Sequence, residues 1–171
     1  MRLRRTLDAL YDGAAALAAV QMVGLLLMVI ASIVARQLHV HLPGTDAYAG
    51  YLMAGAGFLA LAHTLKRNEH IRVTLLVNAA KGGARRALER WALIAGLALA
   101  ALFAFYAVRL AWQSHAFNDI STGNDATRLW IPQLSMAAGS IILAVAFVDE
   151  LVLELRGARA HAQPAEAVRN E

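Results

Sequence analysis

The chain has 171 residues, of which 59% are hydrophobic and 16% charged, and its mean hydropathy is +0.51. A soluble domain is usually about 45–50% apolar and about 25% charged, and a disordered chain is more polar still, so both classes are excluded. The absence of cysteine excludes disulfides, thiolate metal sites and a cysteine nucleophile. The composition therefore predicts an integral membrane protein.

Four apolar segments are long enough to cross a bilayer as helices, residues 13–35, 47–65, 91–112 and 129–153. A helix needs about 20 apolar residues to cross about 30 Å of hydrocarbon. The first segment could also be a cleaved signal peptide, because arginines precede it. Its apolar stretch exceeds the usual length of about 7–15 residues, so a retained span is preferred. The predicted fold is all-α, with four transmembrane helices in one membrane domain, residues 1–157.

Basic residues indicate the orientation of these spans. Most lie in the N-terminal arm, in the connection after the second span and in the C-terminal tail, which share one side of a four-span protein. Of the 16 lysines and arginines, only Arg36, Arg109 and Arg128 fall on or near the other side. Short cytoplasmic loops carry the excess of positive charge, so both termini are predicted to be cytoplasmic. The pI of 10.0 then reflects topology and attraction to anionic lipid headgroups, with no nucleic-acid partner.

The connection between the second and third spans contains a patterned stretch, residues 69–80. Its apolar and polar residues alternate in a way that fits a short strand as well as a helix. An isolated strand would leave its edges unpaired, so the preferred interpretation is an amphipathic helix lying in the membrane interface. A basic, disordered connector is the alternative. The polar tail, residues 158–171, is predicted to be disordered in the cytoplasm.

The deep interior of the spans carries no ionisable residue, although pumps and proton-coupled carriers usually place carboxylates there. The chain is therefore not expected to move a solute by itself. Two axial histidines at matching depth would be needed for haem, but His63 lies near the inner surface and His115 near the outer one. No nucleophile with its base, no phosphate loop and no metal cluster is evident. We predict no enzyme activity, no catalytic, substrate-binding or metal site, and no cofactor.

Small residues recur at helical spacing in two spans and predict packing faces. They are Gly50, Ala54 and Gly57 in the second span and Ala92, Gly96, Ala100 and Ala104 in the third. Small residues let helices approach closely in lipid. Such faces either pack the four spans against each other or contact a second membrane subunit.

Several features together resemble a known family, the small membrane subunit of tripartite ATP-independent periplasmic (TRAP) transporters. Val34-Ala35-Arg36 ends the first span, and Asp46 opens the second. The run from Arg67 to Leu76, with its His-Ile-Arg-Val segment, is the most specific match. Ser121, Leu129-Trp130-Ile131-Pro132 and Gly139 complete the resemblance, which covers roughly residues 10–155. The family often has Asp where this chain has Thr74, which weakens any charge-based role for that segment.

The resemblance implies a division of labour. A periplasmic protein would capture an organic acid, and a large membrane subunit would carry it across the bacterial inner membrane, driven by sodium. The small subunit would brace the large one and help to dock the binding protein. On this basis Arg36, Asp46, Arg109 and Arg128 are docking candidates or partners of the large subunit, although Arg36 and Asp46 could simply pair with each other.

A second hypothesis assigns the predicted surface helix to anchoring on lipid headgroups and the large subunit. The residues concerned are His70, Ile71, Arg72, Leu75 and Leu76. Two other classes stay open at this point. One is a membrane-anchor subunit of a respiratory complex, which would bind haem or quinone. The other is a stand-alone four-helix exporter, which the lack of a carboxylate at mid-membrane disfavours.

Overall fold

The computed structural model describes residues 2–67 and 83–156. They form four α-helices: α1 (Arg2–Gln37), α2 (Thr45–Lys66), α3 (Gly83–Ala116) and α4 (Trp130–Leu155). The described residues contain no β-strand, and one isolated antiparallel bridge joins Ile120 to Arg128. The prediction of an all-α fold is confirmed for the part of the chain that is described.

Two of the helices end in the same way. His39 after α1 and Asn118 after α3 adopt positive φ angles of 54° and 52°. In each case the following amide donates back into the last turn, Val40 N to Ala35 O and Asp119 N to Ser114 O, both at 2.9 Å. This six-to-one hydrogen bond is the Schellman arrangement that terminates helices.

Contacts along the helices set their relative directions. Gly24 lies against Leu52, and His63 lies 3.5 Å from Asp12, so α1 and α2 run antiparallel along their full length. The start of α4 likewise meets the end of α3, where the rings of Trp130 and His115 are 5.2 Å apart. The chain therefore folds up and down, with α1 and α3 pointing one way and α2 and α4 the other.

The four helices form an open layer in the order α1, α2, α4, α3. Helix α2 packs between α1 and α4, α1 barely approaches α4, and the backbone of α3 approaches α4 alone. Across the gap between α2 and α3, the rings of Phe58 and Phe103 stack at 5.2 Å and 16°. The outer faces of α1 and α3 carry many exposed apolar side chains, as expected where the solvent is lipid.

Most of the buried apolar residues between the helices are alanines. Ala14, Ala18, Ala56 and Leu59 make one buried cluster between α1 and α2. In α4, Gly139 lies on the backbone of α2, where a Cβ atom would come within 2.5 Å of the carbonyl carbon of Phe58. Lipid tails are as apolar as leucine, so the hydrophobic effect does not drive helices together inside a membrane. Van der Waals contact between closely approaching backbones stabilises their association instead.

The first three helices contain the predicted spans and extend beyond both ends of each, whereas α4 begins one residue after the predicted start at Leu129. Helix α1 begins at Arg2 and α3 begins at Gly83, because the polar segments before both spans are also helical. Among residues 2–67 and 83–156, three helices are long and apolar enough to cross a membrane: Arg4–Gln37, Gly83–Ala116 and Trp130–Leu155. The second predicted span forms α2, a helix of 22 residues. Its glycines, its two tyrosines and His63 make α2 less apolar than a typical span.

Candidate functional site

One end of the layer is closed by an ordered loop, residues 117–129, here named the Asp125 loop. Its two arms are joined by hydrogen bonds from Ser121 N to Thr127 O (2.8 Å) and from Leu129 N to Asp119 O (3.0 Å). At its tip, the carboxylate of Asp125 accepts hydrogen bonds from the hydroxyls of Ser121 (2.6 Å) and Tyr51 (3.1 Å). The loop between α3 and α4 is therefore attached to α2.

A second contact holds the same loop from the other side. Thr127 donates to the hydroxyl of Tyr48 at 3.1 Å, and the Tyr48 and Tyr51 rings meet edge to face at 6.2 Å. Gly44, with φ of 80°, lies under Asp125, where an added Cβ would come within 2.7 Å of the Asp125 Cβ. Only glycine fits both the left-handed backbone and this close approach. The start of α2 and the Asp125 loop thus form one continuous surface joined by hydrogen bonds.

Hydrogen bonding stabilises the ionised form of Asp125. The bond donated by Ser121 is the largest effect, and together with the bond from Tyr51 it lowers the pKa of Asp125 to about 2, against the partly opposing effect of desolvation. The ordinary value is 3.8. Since the folded pKa is depressed, ionisation of Asp125 stabilises the loop above pH 3.8. This stabilisation is lost as the pH falls through about 2.

Replacing Asp125 by alanine should release the loop from α2, because the Ser121 and Tyr51 hydroxyls lose their acceptor. Amide hydrogen exchange at Ser121 and Leu129 is expected to accelerate, while exchange inside α3 stays unchanged. Asp119→Ala is the matched control, since the Asp119 side chain is exposed and its backbone supplies the loop contact. Equal protection of the loop in both variants would contradict this role for Asp125.

The opposite end of the layer carries an interhelical charged cluster, defined here as Arg4, Asp8, Lys66 and Asp149. The Lys66 ammonium pairs with Asp8, joining the end of α2 to the start of α1. Arg4 lies 4.0 Å from Asp8 and 3.5 Å from Asp149, which connects α1 to α4. The cluster therefore ties together three helices.

A buried tyrosine lies beneath this cluster. Tyr11 is fully buried with Ala62, Leu65 and Ala146, and the Lys66 ammonium lies 5.2 Å from the centroid of its ring. That distance fits a cation–π contact, which is worth more where water is excluded. Lys66 of α2 therefore contacts two side chains of α1, the carboxylate of Asp8 and the ring of Tyr11.

The four charged residues predicted for docking are all exposed, and none forms a side-chain ion pair within the described residues. Arg36 lies in the last turn of α1 and Asp46 in the first turn of α2, and the alternative pairing between them is absent there. Arg128 belongs to the bridge of the Asp125 loop, and Arg109 lies near the end of α3. All four lie towards the end of the layer that carries the Asp125 loop.

The small-residue face predicted on α3 lies largely against α4. Ala100 and Ala104 are buried there, and the face continues through Ala107 and Ala111. Gly96 accommodates the ring of Phe147, which a Cβ atom would approach within 2.6 Å. Ala92, one turn earlier, is exposed.

The face predicted on α2 is placed differently. Gly50, Ala54 and Gly57 are exposed, and a Cβ atom at Gly50 or Gly57 would meet nothing within 4 Å. Within the chain α2 packs through a neighbouring face, made of Gly55, Ala56, Leu59, Ala62 and Leu65. Contact of the exposed face with a second subunit stays a prediction.

The residues assigned to the surface helix, His70, Ile71, Arg72, Leu75 and Leu76, lie outside the described residues. Within residues 2–67 and 83–156, no group of three or more His, Asp or Glu side chains could hold a metal ion. His63 and His115 lie at opposite ends of the layer, so these two cannot bind one haem between them.

Sequence reasoning missed Asp125 and the pair of Asp8 with Lys66. Asp125 meets Tyr51 across 74 residues of sequence, and Lys66 meets Asp8 across 58. The second pair could have been found by aligning the first two spans as an antiparallel hairpin. No local signal in the sequence distinguishes Asp125 from the other acidic residues.

The fold defines a multi-helix membrane protein with exposed apolar faces on its outer helices and a hydrogen-bonded loop at one end. The family model of the tripartite ATP-independent periplasmic transporters, DctQ component, matches residues 25–157, which is more than three quarters of the chain. The chain therefore belongs to this family and is the small membrane component of a TRAP transporter. No curated protein matches it.

Proposed function

We propose that the chain is the scaffold subunit of a sodium-driven importer of organic acids in the bacterial inner membrane. It braces the large subunit that carries the substrate and helps to dock the periplasmic binding protein. Membership of the TRAP family is the observation that carries this proposal, because the family is tripartite and its small component works with both partners. The substrate class and the sodium coupling rest on the family resemblance alone.

The up-and-down arrangement supports four spans with both termini in the cytoplasm. Helix α2 runs alongside α1, with Leu52 beside Gly24 and Lys66 beside Asp8. Because α1 is long and apolar enough to cross a membrane, this pairing favours a membrane-spanning position for α2 as well. Its 22 residues extend about 33 Å, the thickness of a hydrocarbon core. The excess of arginine at the charged-cluster end favours the cytoplasm for that end. The Asp125 loop then lies in the periplasm.

The distribution of polar groups supports a bracing role over a carrying one. The ion pairs of the described residues lie at the helix ends, and the apolar stretch of each span contains no carboxylate. Pumps and proton-coupled carriers usually place such groups at mid-depth. The exposed apolar faces of α1 and α3, and the exposed small residues of α2, suit packing against another membrane subunit.

The periplasmic end suits docking because its surface is pre-formed. The Asp125 loop is fixed to α2 on two sides, and Arg36, Asp46 and Arg128 are exposed around it without ion-pair partners within the described residues. A fixed surface loses little conformational entropy when a partner binds. Unpaired charges at its rim set orientation and association rate more than affinity.

Charge reversal tests the docking role. We expect the variant Arg36→Glu/Arg128→Glu to lower uptake at limiting binding protein by about tenfold, with little loss at saturating binding protein, because rim charges act chiefly on association. The measurement is substrate uptake into proteoliposomes that contain the large subunit, this chain and the binding protein encoded with them. Unchanged uptake at every concentration of binding protein would overturn the docking role.

Co-purification in mild detergent separates docking from assembly. The reversed variant should still purify with the large subunit, and Ile71→Asp/Leu75→Asp should reduce that assembly if the surface helix contacts the large subunit. A chain that purified alone with the absorbance of bound haem would instead favour a membrane anchor of a redox complex.

A further inference from the structure

The first turns of α3 carry two arginines that nothing in the described structure neutralises. Arg86 and Arg90 are four residues apart, so they share one face of the helix, and both are exposed. Neither has an ion-pair partner among residues 2–67 and 83–156. The neighbouring Arg85, in contrast, pairs with Glu89 at 3.1 Å. Like charges at this spacing repel each other, so binding of an anion between the two arginines would stabilise this face.

The position of these arginines matches the headgroup layer of a bilayer. Trp91 and Trp112 are strongly exposed, at 68% and 76%, and lie about 32 Å apart along α3, as tryptophans at the two interfaces of one membrane do. Measured along the helix axis, Arg90 lies about 1.5 Å and Arg86 about 7.5 Å beyond Trp91, on the side away from the membrane centre. On this spacing Arg86 and Arg90 lie just outside the tryptophan of one interface, where the lipid phosphates of a bilayer are expected.

The same face of the helix continues inwards as an apolar strip. Ile94 is 55% exposed, and Ala101 is exposed two turns further along, on the face that Arg86 and Arg90 begin. Acyl chains can lie along this strip beneath a phosphate held by the arginines. Guanidinium binds phosphate through two parallel hydrogen bonds, which an ammonium cannot do.

We propose that Arg86, Arg90 and the strip through Ile94 and Ala101 form a binding site for one anionic phospholipid of the cytoplasmic leaflet. Charge complementarity selects an anionic headgroup over a zwitterionic one, and the exposed strip selects a lipid over a free phosphate. The leaflet follows from the orientation given under the proposed function. Lipid bound here would neutralise the start of α3, the helix whose backbone approaches α4 alone.

Native mass spectrometry of the full chain in mild detergent tests this site with phosphatidylglycerol and phosphatidylcholine as probes. A one-to-one adduct is expected with phosphatidylglycerol. Arg86→Gln/Arg90→Gln should weaken it about 25-fold, since each basic residue contributes about fivefold at an anionic lipid surface. Arg86→Lys/Arg90→Lys should retain part of the binding. Glycerol phosphate, which carries the anion without acyl chains, should not displace the lipid.

The matched control is Arg5→Gln/Arg156→Gln, which removes two exposed arginines from the same end of the layer. Equal weakening by both double variants would overturn the site in favour of diffuse attraction, as would equal binding of phosphatidylcholine. Orientation is tested separately by labelling a single cysteine added at the C-terminus of this cysteine-free chain. Labelling from the periplasm would overturn the proposed orientation without affecting the measured lipid binding.

Discussion

Replacing Gly139 by leucine should separate α4 from α2 and destabilise the protein by about 3 kcal/mol or more. A Cβ atom at this position would lie 2.5 Å from the carbonyl carbon of Phe58 and 2.8 Å from the amide nitrogen of Leu59. Both are backbone atoms, so no side-chain rotation relieves the overlap, and the helices must move apart. Because the backbone of α3 approaches α4 alone, the whole α3–α4 pair would lose its register on α1 and α2.

The measurement is unfolding in mixed micelles, monitored by tryptophan fluorescence, to which Trp130 at the start of α4 contributes together with Trp91 and Trp112. Gly57→Leu is the matched control, because a Cβ atom added at this exposed position of α2 meets nothing within 4 Å and the substitution carries the same gain in helix propensity. Gly57→Leu should leave the isolated chain at least as stable as the natural sequence. If Gly139→Leu unfolds no more easily than this control, the close packing of α4 on α2 is wrong.

The same control variant tests the exposed face of α2. Gly50, Ala54 and Gly57 are exposed within the chain, so a second subunit is a candidate to cover them. If the large subunit packs closely on this face, Gly57→Leu should weaken co-purification while the isolated chain stays stable. Unchanged co-purification would indicate that this face of α2 contacts lipid and not the large subunit.

Hydropathy predicts where the helices lie but not which face of each helix is buried. The bounds of all four helices contain or nearly contain the predicted spans, since about 20 apolar residues have no other stable form in lipid. In α3 the buried residues Ala100 and Ala104 alternate with bulky exposed ones such as Phe105, which distinguishes the faces. In α2 small residues occur on several faces, so the exposed glycine at position 57 and the buried Gly55 cannot be told apart from spacing.

Long-range pairs lie beyond what composition and periodicity can reveal. Asp125 gains its role from hydroxyls on α2, and its depressed pKa follows from those bonds and the one from Ser121. In the sequence it is one acidic residue in a polar loop. The sequence predicts docking charges from their place near the outer face of the membrane. None of the four forms an ion pair among the described residues, and they are Arg36, Asp46, Arg109 and Arg128. That criterion does not identify Asp125, which fixes the loop, and a docking role for the four charges stays a prediction.

Replacing Lys66 by glutamate should loosen α1 from α2 and cost about 2 kcal/mol of stability. The substitution removes the partner of Asp8, places a second carboxylate beside it and takes the cation from the ring of buried Tyr11. The Lys66 side chain is 25% exposed and that of Asp8 39%. The loss is therefore larger than for a surface pair and smaller than for a fully buried one. The same unfolding measurement applies.

Two further variants distinguish the ion pair from packing. Lys66→Met keeps most of the length of the side chain and removes its charge, so it should fall between the natural chain and Lys66→Glu. Adding Asp8→Lys to Lys66→Glu restores opposite charges across the helix pair, although the new lysine then faces Arg4, which limits the rescue. Partial recovery in the double variant requires direct coupling between positions 8 and 66. If the double variant were instead as unstable as the sum of both changes, the charged cluster would only border the helix ends, and the small residues below it would alone hold α1 to α2.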